Sequence, residues 1–462
     1  MSLAADSQGR TGLRSEVFAF GSLSVPIVMS YAGNQLLGLV DTAMVGRLNA
    51  ASLAAVGIGN GIYFTISVTA MGVVLGMDPL VSQALGAGES DRARRVLWQA
   101  VRLSLYASLP CMLLALLVSA FSERLGLDSE TARHIFHFVL GRLFNVVPFL
   151  LSFVGRTYLQ AAGKPRAAVW ATVWANVTNV VGNVLFIYGD DGLARLGLPR
   201  IGLPAMGVFG SGLASTLASA ATLGVISRSV RKISGPPSPA DLRHDKETIR
   251  AILRVGFPIG MHYLAEVGGF TLAGIFAGWL GPVVAAGNQV ALSLASLSFT
   301  IAHGLSNATS VLVGRAVGRR DSAGARRAGF LGIVLAMVTM GCAGLLFATA
   351  PYLCARLLTN QADVLAVAVP LLRIAAVFQL ADAAQAVAAG ALRGAGDTRS
   401  AQKANMVGYY LVGLPLALLL GFGFQWGAPG IWWGLTAALF SISVVLTLKF
   451  HYLSKEEIHR LA

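Results

Sequence analysis

The residues with the clearest chemical potential are two acids inside long apolar segments. Glu266 interrupts the apolar segment 256–280, GFPIGMHYLAEVGGFTLAGIFAGWL. Asp382 precedes Arg393, at the basic end of its helix, by a distance of roughly 16 Å at 1.5 Å per residue. A carboxylate near the middle of a bilayer costs about 2.5 kcal/mol or more unless it faces water, a partner or a ligand. We therefore predict that both acids bind a proton or another cation. The alternative is a structural hydrogen bond, for Asp382 to Gln379 or Gln385.

A third acid, Asp41, lies in the outer half of the first apolar segment. Asn176, Asn179 and Asn183 have the spacing i, i+3, i+7, which places them on one face of a helix. Neutral amide oxygens beside one aspartate suit a proton or Na⁺ site. A water-exposed acid without a role is the alternative for Asp41. The role of Asn176 stays open: it is either a residue of this site or a residue whose hydrogen bond packs two helices together.

Three other residues lie close to these acids in the sequence. His262 precedes Glu266 by one helical turn and could relay protons near neutral pH, although a packing histidine is the favoured alternative. Pro26 and Pro258 are predicted to bend their helices where they fall inside them. The alternative, given equal weight, is that each proline lies at the start of its helix and causes no bend.

The elements that must position these residues are membrane helices. The chain has 462 residues, of which 55% are hydrophobic and 12% charged, too few charges to cover a soluble surface. Segments of about 20 apolar residues cross the bilayer as helices, so we predict an all-α polytopic membrane protein. Its twelve spans are approximately 18–45, 51–77, 97–120, 134–156, 167–189, 206–228, 250–279, 284–312, 328–350, 364–392, 402–424 and 430–453.

The net charge of +14 indicates orientation, not nucleic-acid binding, because most basic residues lie in alternate short loops and at the termini. The positive-inside bias predicts a multi-pass protein of the bacterial inner (cytoplasmic) membrane with both termini cytoplasmic. Anionic lipid contact is a secondary role for the same loops. The three cysteines have no metal spacing and are predicted to be packing residues.

The chain repeats itself with an offset of about 232 residues. GAGESDRARR (86–95) matches GRRDSAGARR (318–327), and LQAAGKPR (159–166) matches LRGAGDTR (392–399). The first spans of the two copies share Pro26/Pro258, Met29/Met261, Tyr31/Tyr263, Gly46/Gly278 and Leu48/Leu280. Six spans per copy is an even number, so the copies are parallel repeats. We predict an amino-terminal six-helix lobe (1–231), a cytoplasmic linker (232–246) and a carboxy-terminal six-helix lobe (247–462).

The segment Pro282–Gly329, with the two motifs that close the fourth span of each half, resembles the multidrug and toxic compound extrusion (MATE) family over essentially the whole chain. VDTAMVGRL in the first span, with Glu266 and Asp382, is similar to the NorM branch of that family. The resemblance implies export of organic cations in exchange for Na⁺ or H⁺. It also implies a carboxyl-lobe cation site formed by Glu266 and Asp382, with Na⁺ as a candidate ligand. It further implies an amino-lobe polar site formed by Asp41, Asn179 and Asn183.

Two further positions match the family pattern in part. Gln289 matches a family glutamine near the carboxyl-lobe cavity, whereas Asn288 stands where the family more often has histidine, so the role of this pair stays open. Phe378 occupies a place where NorM relatives can have tyrosine, and a phenolic ligand is absent there. Its ring could face a bound cation, with pure packing as the alternative.

These features predict a secondary active multidrug efflux antiporter, not an enzyme, with no cofactor beyond the coupling ion, Na⁺ or H⁺. Its expected partners are small cationic amphipathic substrates and membrane lipids, and it is expected to be a monomer. The alternative is a flippase of lipid-linked saccharides with the same two-lobed architecture, which would line its cavity with arginine. A membrane-embedded transferase would need a catalytic His or paired-Asp motif at the membrane edge, and the sequence has neither.

Overall fold

The polypeptide folds into long helices, and the computed structural model describes residues 13–46, 48, 50–122, 129–195, 197 and 199–461, with no strand among them. A 3₁₀ turn at Leu143–Asn145 separates α5 from α6, and π-helical turns at Met406–Gly413 and Leu419–Gly423 flank α16. The α-helices are α1 (Leu13–Val45), α2 (Ala50–Val74), α3 (Met77–Gly86), α4 (Ser90–Ala120), α5 (Ser129–Arg142), α6 (Val146–Ala161), α7 (Arg166–Tyr188), α8 (Asp190–Arg195), α9 (Gly207–Ser234), α10 (Lys246–Trp279), α11 (Pro282–Gly318), α12 (Ser322–Thr349), α13 (Pro351–Arg356), α14 (Ala362–Ala395), α15 (Thr398–Asn405), α16 (Leu414–Leu418) and α17 (Ala428–Leu453).

Twelve helical segments in the described part of the chain are long and apolar enough to cross a membrane, as the sequence predicts. The bilayer interior has no water to hydrogen-bond unpaired backbone groups, so these segments form helices, in which the backbone N–H and C=O groups bond to one another. Three spans are composite: α2 with α3, α5 with α6, and α15 with α16 and the π-helical turns. We call α1–α9 the amino lobe and α10–α17 the carboxyl lobe.

The two lobes pack through equivalent helix pairs, α1 against α11 and α10 against α2. A Cβ added to Gly72 of α2 would lie 2.6 Å from Cα of Gly260 on α10. A Cβ added to Gly304 of α11 would lie 3.0 Å from Cα of Val28 on α1. Gly72 and Val28 precede Gly304 and Gly260 by the repeat offset, so the two contacts exchange under a two-fold rotation. This packing is what parallel repeats require.

The lobes also meet through polar side chains at the end of the molecule that carries the basic loops. Ser310 Oγ donates to Asp78 Oδ2 at 2.6 Å, and Arg393 Nε donates to the same carboxylate oxygen at 3.2 Å. Asp78 belongs to the amino lobe, and the other two belong to the carboxyl lobe. Asp78 and Ser310 are repeat counterparts that touch each other, which places them near the two-fold axis.

A symmetric pair of side-chain-to-backbone bonds flanks that contact. Gln83 Nε2 donates to the carbonyl oxygen of Gly394 at 3.0 Å. Its repeat counterpart, Arg315, donates through Nε to the carbonyl oxygen of Ala161 at 2.8 Å. We call these two bonds, together with the Asp78–Ser310–Arg393 cluster, the basic-end seal.

The linker between α9 and α10 lies along α4 of the amino lobe. Arg94 Nε is 2.9 Å from Asp241 Oδ2, and Gln99 Nε2 donates to the carbonyl oxygen of Asp241 at 3.2 Å. Asp245 caps α10, and the hydrogen bond from the Thr248 hydroxyl lowers the pKa of this carboxyl. The linker is therefore attached to one lobe along part of its length.

The segment that follows α17 crosses from the carboxyl lobe to the amino lobe. The backbone N–H of Leu461 donates to Gln83 Oε1 at 2.8 Å, and Arg92 donates to the carbonyl oxygen of Leu461 at 3.0 Å. Arg460 forms an ion pair with Glu89 at 2.8 Å. This segment adds a third connection at the same end as the seal.

Pro26 and Pro258 lie inside α1 and α10, so neither begins a helix. A proline in a helix interior removes a backbone donor and crowds the preceding turn. The bend at each position stays a prediction.

Candidate functional site

The amino-lobe site is built around Asp41, which is only 1% exposed. Asn179 and Asn183, one turn apart on α7, donate through Nδ2 to Asp41 Oδ1 at 2.9 and 2.7 Å. Ser215 of α9 donates to Asp41 Oδ2 at 2.6 Å. Two helices, α7 and α9, thus direct three hydrogen-bond donors at one buried carboxylate of α1.

The orientation of the amides differs from the sequence expectation. The amide nitrogens of Asn179 and Asn183, not their oxygens, face Asp41, and Asn183 also donates to Asn179 Oδ1 at 3.2 Å. Donors stabilise the ionised carboxylate but add no ligand oxygens. No amide oxygen faces Asp41 in this arrangement, and the role of Asp41 as a proton or Na⁺ site stays a prediction.

Sequence reasoning missed the polar residues that extend this site. Asn145 Nδ2 donates to the carbonyl oxygen of Ser215 at 2.9 Å, and Tyr63 donates to Asn145 Oδ1 at 2.7 Å. The Arg142 guanidinium lies 4.2 Å from the centre of the Tyr63 ring. These residues are scattered over α2, α5, the 3₁₀ turn and α9, so no sequence spacing connects them.

Asn176 has the packing role that the sequence left open. Its Nδ2 donates to the carbonyl oxygen of Gly33 on α1 at 3.0 Å and to that of Thr172 at 2.9 Å. It links α7 to α1 one turn away from the Asp41 cluster and makes no contact with that carboxylate in the described residues.

The carboxyl-lobe site contains Glu266 on α10 and Asp382 on α14, which are 8% and 3% exposed. The two acids interact electrostatically. Within the described part of the chain, Asp382 makes no ion pair, and its Oδ1 has no hydrogen-bond partner. A buried carboxylate left in this condition needs a proton or a cation.

The structural alternative for Asp382, a bond to Gln379 or Gln385, is not what the structure contains. Gln379 Nε2 donates instead to Ser298 on α11. Oε1 of Gln379 and Oε1 of Gln385 both lack partners among the described residues. Several buried oxygen atoms therefore remain available around Asp382.

His262 lies where the sequence places it, one turn before Glu266. Its Nε2 is 3.6 Å from Glu266 Oε2, and the side chain is buried. The imidazole is thus close enough to exchange a proton with the carboxylate through a small movement, and the relay role stays a prediction.

The positions of Gln289 and Phe378 connect them less clearly to the two acids. Gln289 is exposed and hydrogen-bonds to Ser293, whereas its neighbour Asn288 points inward and accepts from Trp432 Nε1 at 2.8 Å. Phe378 is 2% exposed and packs against Trp432 and Phe270 with ring centres 5.8 and 6.2 Å away. The role of Gln289 and Phe378 in binding substrate stays a prediction.

Comparison with known proteins decides the family. The MatE family model matches residues 26–185 and 258–419, one stretch in each half. The chain is 31% identical to the probable multidrug resistance protein NorM of Bradyrhizobium diazoefficiens, across 94% of this chain and 92% of the relative. It is also 31% identical to the multidrug resistance protein NorM of Burkholderia vietnamiensis, across 93% and 92%.

The chain belongs to the MATE family. The fold agrees, since a crystal structure of a single-residue variant of the Vibrio cholerae MATE transporter VcmN superposes with a TM-score of 0.87, covering 96% of this chain and 98% of that one at 16% identity. The predicted fold class, twelve membrane helices in two six-helix lobes related as parallel repeats, is confirmed. The MATE relatives are transporters, and the similarity to NorM proteins confirms the resemblance that the sequence indicates.

Proposed function

We propose that the protein is a secondary active antiporter that exports organic cations from the bacterial cytoplasm in exchange for Na⁺ or H⁺. Its NorM relatives are named for multidrug resistance, and MATE transporters are ion-coupled. The observation that carries the proposal is the pair of buried acids in the carboxyl lobe, of which Asp382 has no basic partner in the described residues. Such acids can hold either a coupling ion or a cationic substrate.

Coupling follows from exclusive occupancy of that site. A substrate cation and the coupling ion compete for the same carboxylates, so each is bound only after the other has left. Rocking of the two lobes exposes the site to one side of the membrane at a time, as parallel repeats permit. Inward movement of the ion then drives outward movement of the substrate.

The orientation belongs to the same proposal. The basic loops lie at one end of the molecule, and the positive-inside bias assigns that end, with both termini, to the cytoplasm. The two lobes, 1–231 and 247–462, are the moving bodies, and 232–246 connects them. The working unit is one chain in contact with membrane lipids.

The flippase alternative is not favoured. A pyrophosphate cargo needs free arginines in the cavity, but Arg393 is engaged by Asp78 and Asn307 in the seal. In the carboxyl lobe, the buried atoms that lack partners among the described residues include Asp382 Oδ1 and the amide oxygens of Gln379 and Gln385. They favour a cationic cargo.

The deciding experiment is transport by purified protein in proteoliposomes with Na⁺ and proton gradients imposed separately. Accumulation of a fluorescent organic cation should depend on at least one of the two gradients. Equal uptake with and without both gradients would contradict an antiport mechanism. Liposomes without protein provide the control.

A further inference from the structure

One face of α6 in the amino lobe carries three buried hydrogen-bond donors. Ser152, Arg156 and Gln160 follow each other at intervals of four residues, so they project from successive turns on the same side. Each is no more than 6% exposed. Among the described residues, Ser152 Oγ and Gln160 Nε2 have no hydrogen-bond partner, and Arg156 makes neither a hydrogen bond nor an ion pair. Buried polar groups in folded proteins are nearly all hydrogen-bonded, so this face favours a ligand that accepts hydrogen bonds.

Arg156 is the member of this face that most needs a partner. It lies within the membrane span Ser129–Ala161, where a charge is costly unless it is compensated. Gln160 matches Arg393 in the repeat, and the guanidinium of Arg393 contacts Asp78 and Asn307. Arg156 lies one turn before the matching position, and no carboxylate of the described residues pairs with it. An anion from outside this part of the chain would compensate its charge.

The guanidinium of Arg156 lies close to the interface between the two lobes. Its charge is within electrostatic reach of the Tyr31 phenol on α1. Tyr31 accepts a hydrogen bond from Asn307 Nδ2 of the carboxyl lobe at 3.0 Å, and its ring meets the edge of the His303 ring with centres 4.9 Å apart. A ligand of Arg156 would therefore lie beside the contacts that join the lobes.

We propose that Arg156, with Ser152 and Gln160, binds a singly charged oxyanion between the lobes, either a carboxylate or a phosphodiester. The planar guanidinium can donate two parallel hydrogen bonds to such a group. The hydroxyl and the amide, one turn to either side, add further donors. One guanidinium compensates one negative charge, so the site does not fit a pyrophosphate.

A row of rings leads from this site to the acids of the carboxyl lobe and favours the cargo as the source of the oxyanion. The His303 ring is 5.8 Å from the Tyr263 ring, which is 5.2 Å from the His262 ring. His262 Nε2 is 3.6 Å from Glu266 Oε2. The row thus has a cation at one end and an acid at the other, which fits a zwitterionic cargo with its carboxylate at Arg156. This inference rests on the proposed function and adds the class of cargo to it.

The test uses two dyes that differ in one charge. Rhodamine B carries a carboxylate and a delocalised positive charge, whereas its ethyl ester keeps only the positive charge. Fluorescence polarisation measures the binding of each dye to the purified protein in detergent. Arg156→Gln should weaken the binding of rhodamine B about tenfold and leave that of the ester unchanged. Arg166→Gln removes an exposed guanidinium at the start of α7 and should change neither.

Binding of radiolabelled phosphatidylglycerol to the same proteins distinguishes a lipid source. A loss of lipid binding in Arg156→Gln, without a loss for rhodamine B, would assign the oxyanion site to a headgroup and remove the zwitterionic cargo. Equal binding of every probe by wild-type and Arg156→Gln protein would overturn the oxyanion site. If Arg156→Gln does not fold, Gln160→Leu replaces it, with an expected loss of about threefold for rhodamine B.

Transport of the ethyl ester separates this inference from the function on which it rests. The ester has no carboxylate, so its ion-driven uptake into proteoliposomes should be the same for wild-type and Arg156→Gln protein. Uptake that ignores both ion gradients would remove the proposed function. Gradient-driven uptake together with unchanged dye and lipid binding in Arg156→Gln would overturn the oxyanion site alone.

Discussion

Three buried acids of this protein, Asp78, Asp41 and Asp382, differ in their hydrogen-bond and charge partners. Asp78 contacts a guanidinium and a hydroxyl, and Asp41 accepts bonds from two amides and a hydroxyl. Asp382 has neither kind of partner at its Oδ1 in the described residues. Because removal of a carboxylate from water is costly unless the charge is compensated, the ways in which the three acids are stabilised predict their roles. We predict that Asp78 is structural, that Asp41 belongs to a polar site held by its hydrogen-bond donors, and that Asp382 binds a cation.

At the same scale, Glu266→Gln and Asp382→Asn should each abolish coupled efflux in a protein that still folds. Each change keeps the shape of the side chain and removes the negative charge that holds a cation. Ion-driven uptake of a fluorescent cation into proteoliposomes measures the loss, and size-exclusion chromatography checks folding. Asp363→Asn, at the exposed first turn of α14, is the control and should transport normally. Wild-type rates in either site variant would contradict the assigned role.

The helices that join the lobes depend on glycines at their closest approach. A Cβ added to Gly256 of α10 would lie 1.8 Å from the carbonyl oxygen of Val73 on α2. Among the described residues, apart from the neighbouring residues and backbone of the same helix, no atom lies within 4 Å of a Cβ added to Gly278, near the other end of α10. The two positions share a backbone conformation but differ in their neighbours.

Gly256→Ala should therefore lower the thermal midpoint of unfolding in detergent, whereas Gly278→Ala should keep or raise it. Alanine favours a helix over glycine by about 1 kcal/mol at either position. At Gly256 this gain is outweighed, since overpacking a tight contact typically costs about 1–3 kcal/mol. Equal midpoints for the two variants would show that α2 and α10 do not pack as described.

For the whole molecule, the basic-end seal holds the state in which the lobes touch at that end. Alternating access requires a second state in which this end opens, so the contacts of Asp78, Arg393, Gln83 and Arg315 must break in each cycle. A change that weakens the seal without touching the cation sites should shift the population toward the open state.

Asp78→Asn should produce that shift, because it leaves the buried Arg393 guanidinium without its carboxylate. A cysteine introduced as Ser82→Cys, fully buried beside the seal, reports opening when Cys111, Cys342 and Cys354 are replaced. Its labelling by a water-soluble maleimide should be several-fold faster with Asp78→Asn than without. A Glu456→Cys protein, exposed at the same end, should label at one rate in both backgrounds. Unchanged labelling of the buried cysteine would mean that Asp78 does not hold this end closed.

Much of the architecture followed from the sequence alone. Twelve apolar segments can cross a bilayer only as helices, since no other open structure satisfies the backbone there. The offset of 232 residues, with six spans per copy, determined parallel repeats. The apolar surroundings of Glu266 and Asp382 in the sequence predicted a functional role for both acids, because a charge in such a segment is costly.

Contacts between distant residues were decided only by the tertiary structure. The Asp41 site was predicted because Asn179 and Asn183 share a helix face, but Ser215 and Asn145 have no periodic relation to them. Helical periodicity links residues within a few turns of one another. Which oxygens converge from separate helices depends on how the helices pack, and that is a property of the folded molecule.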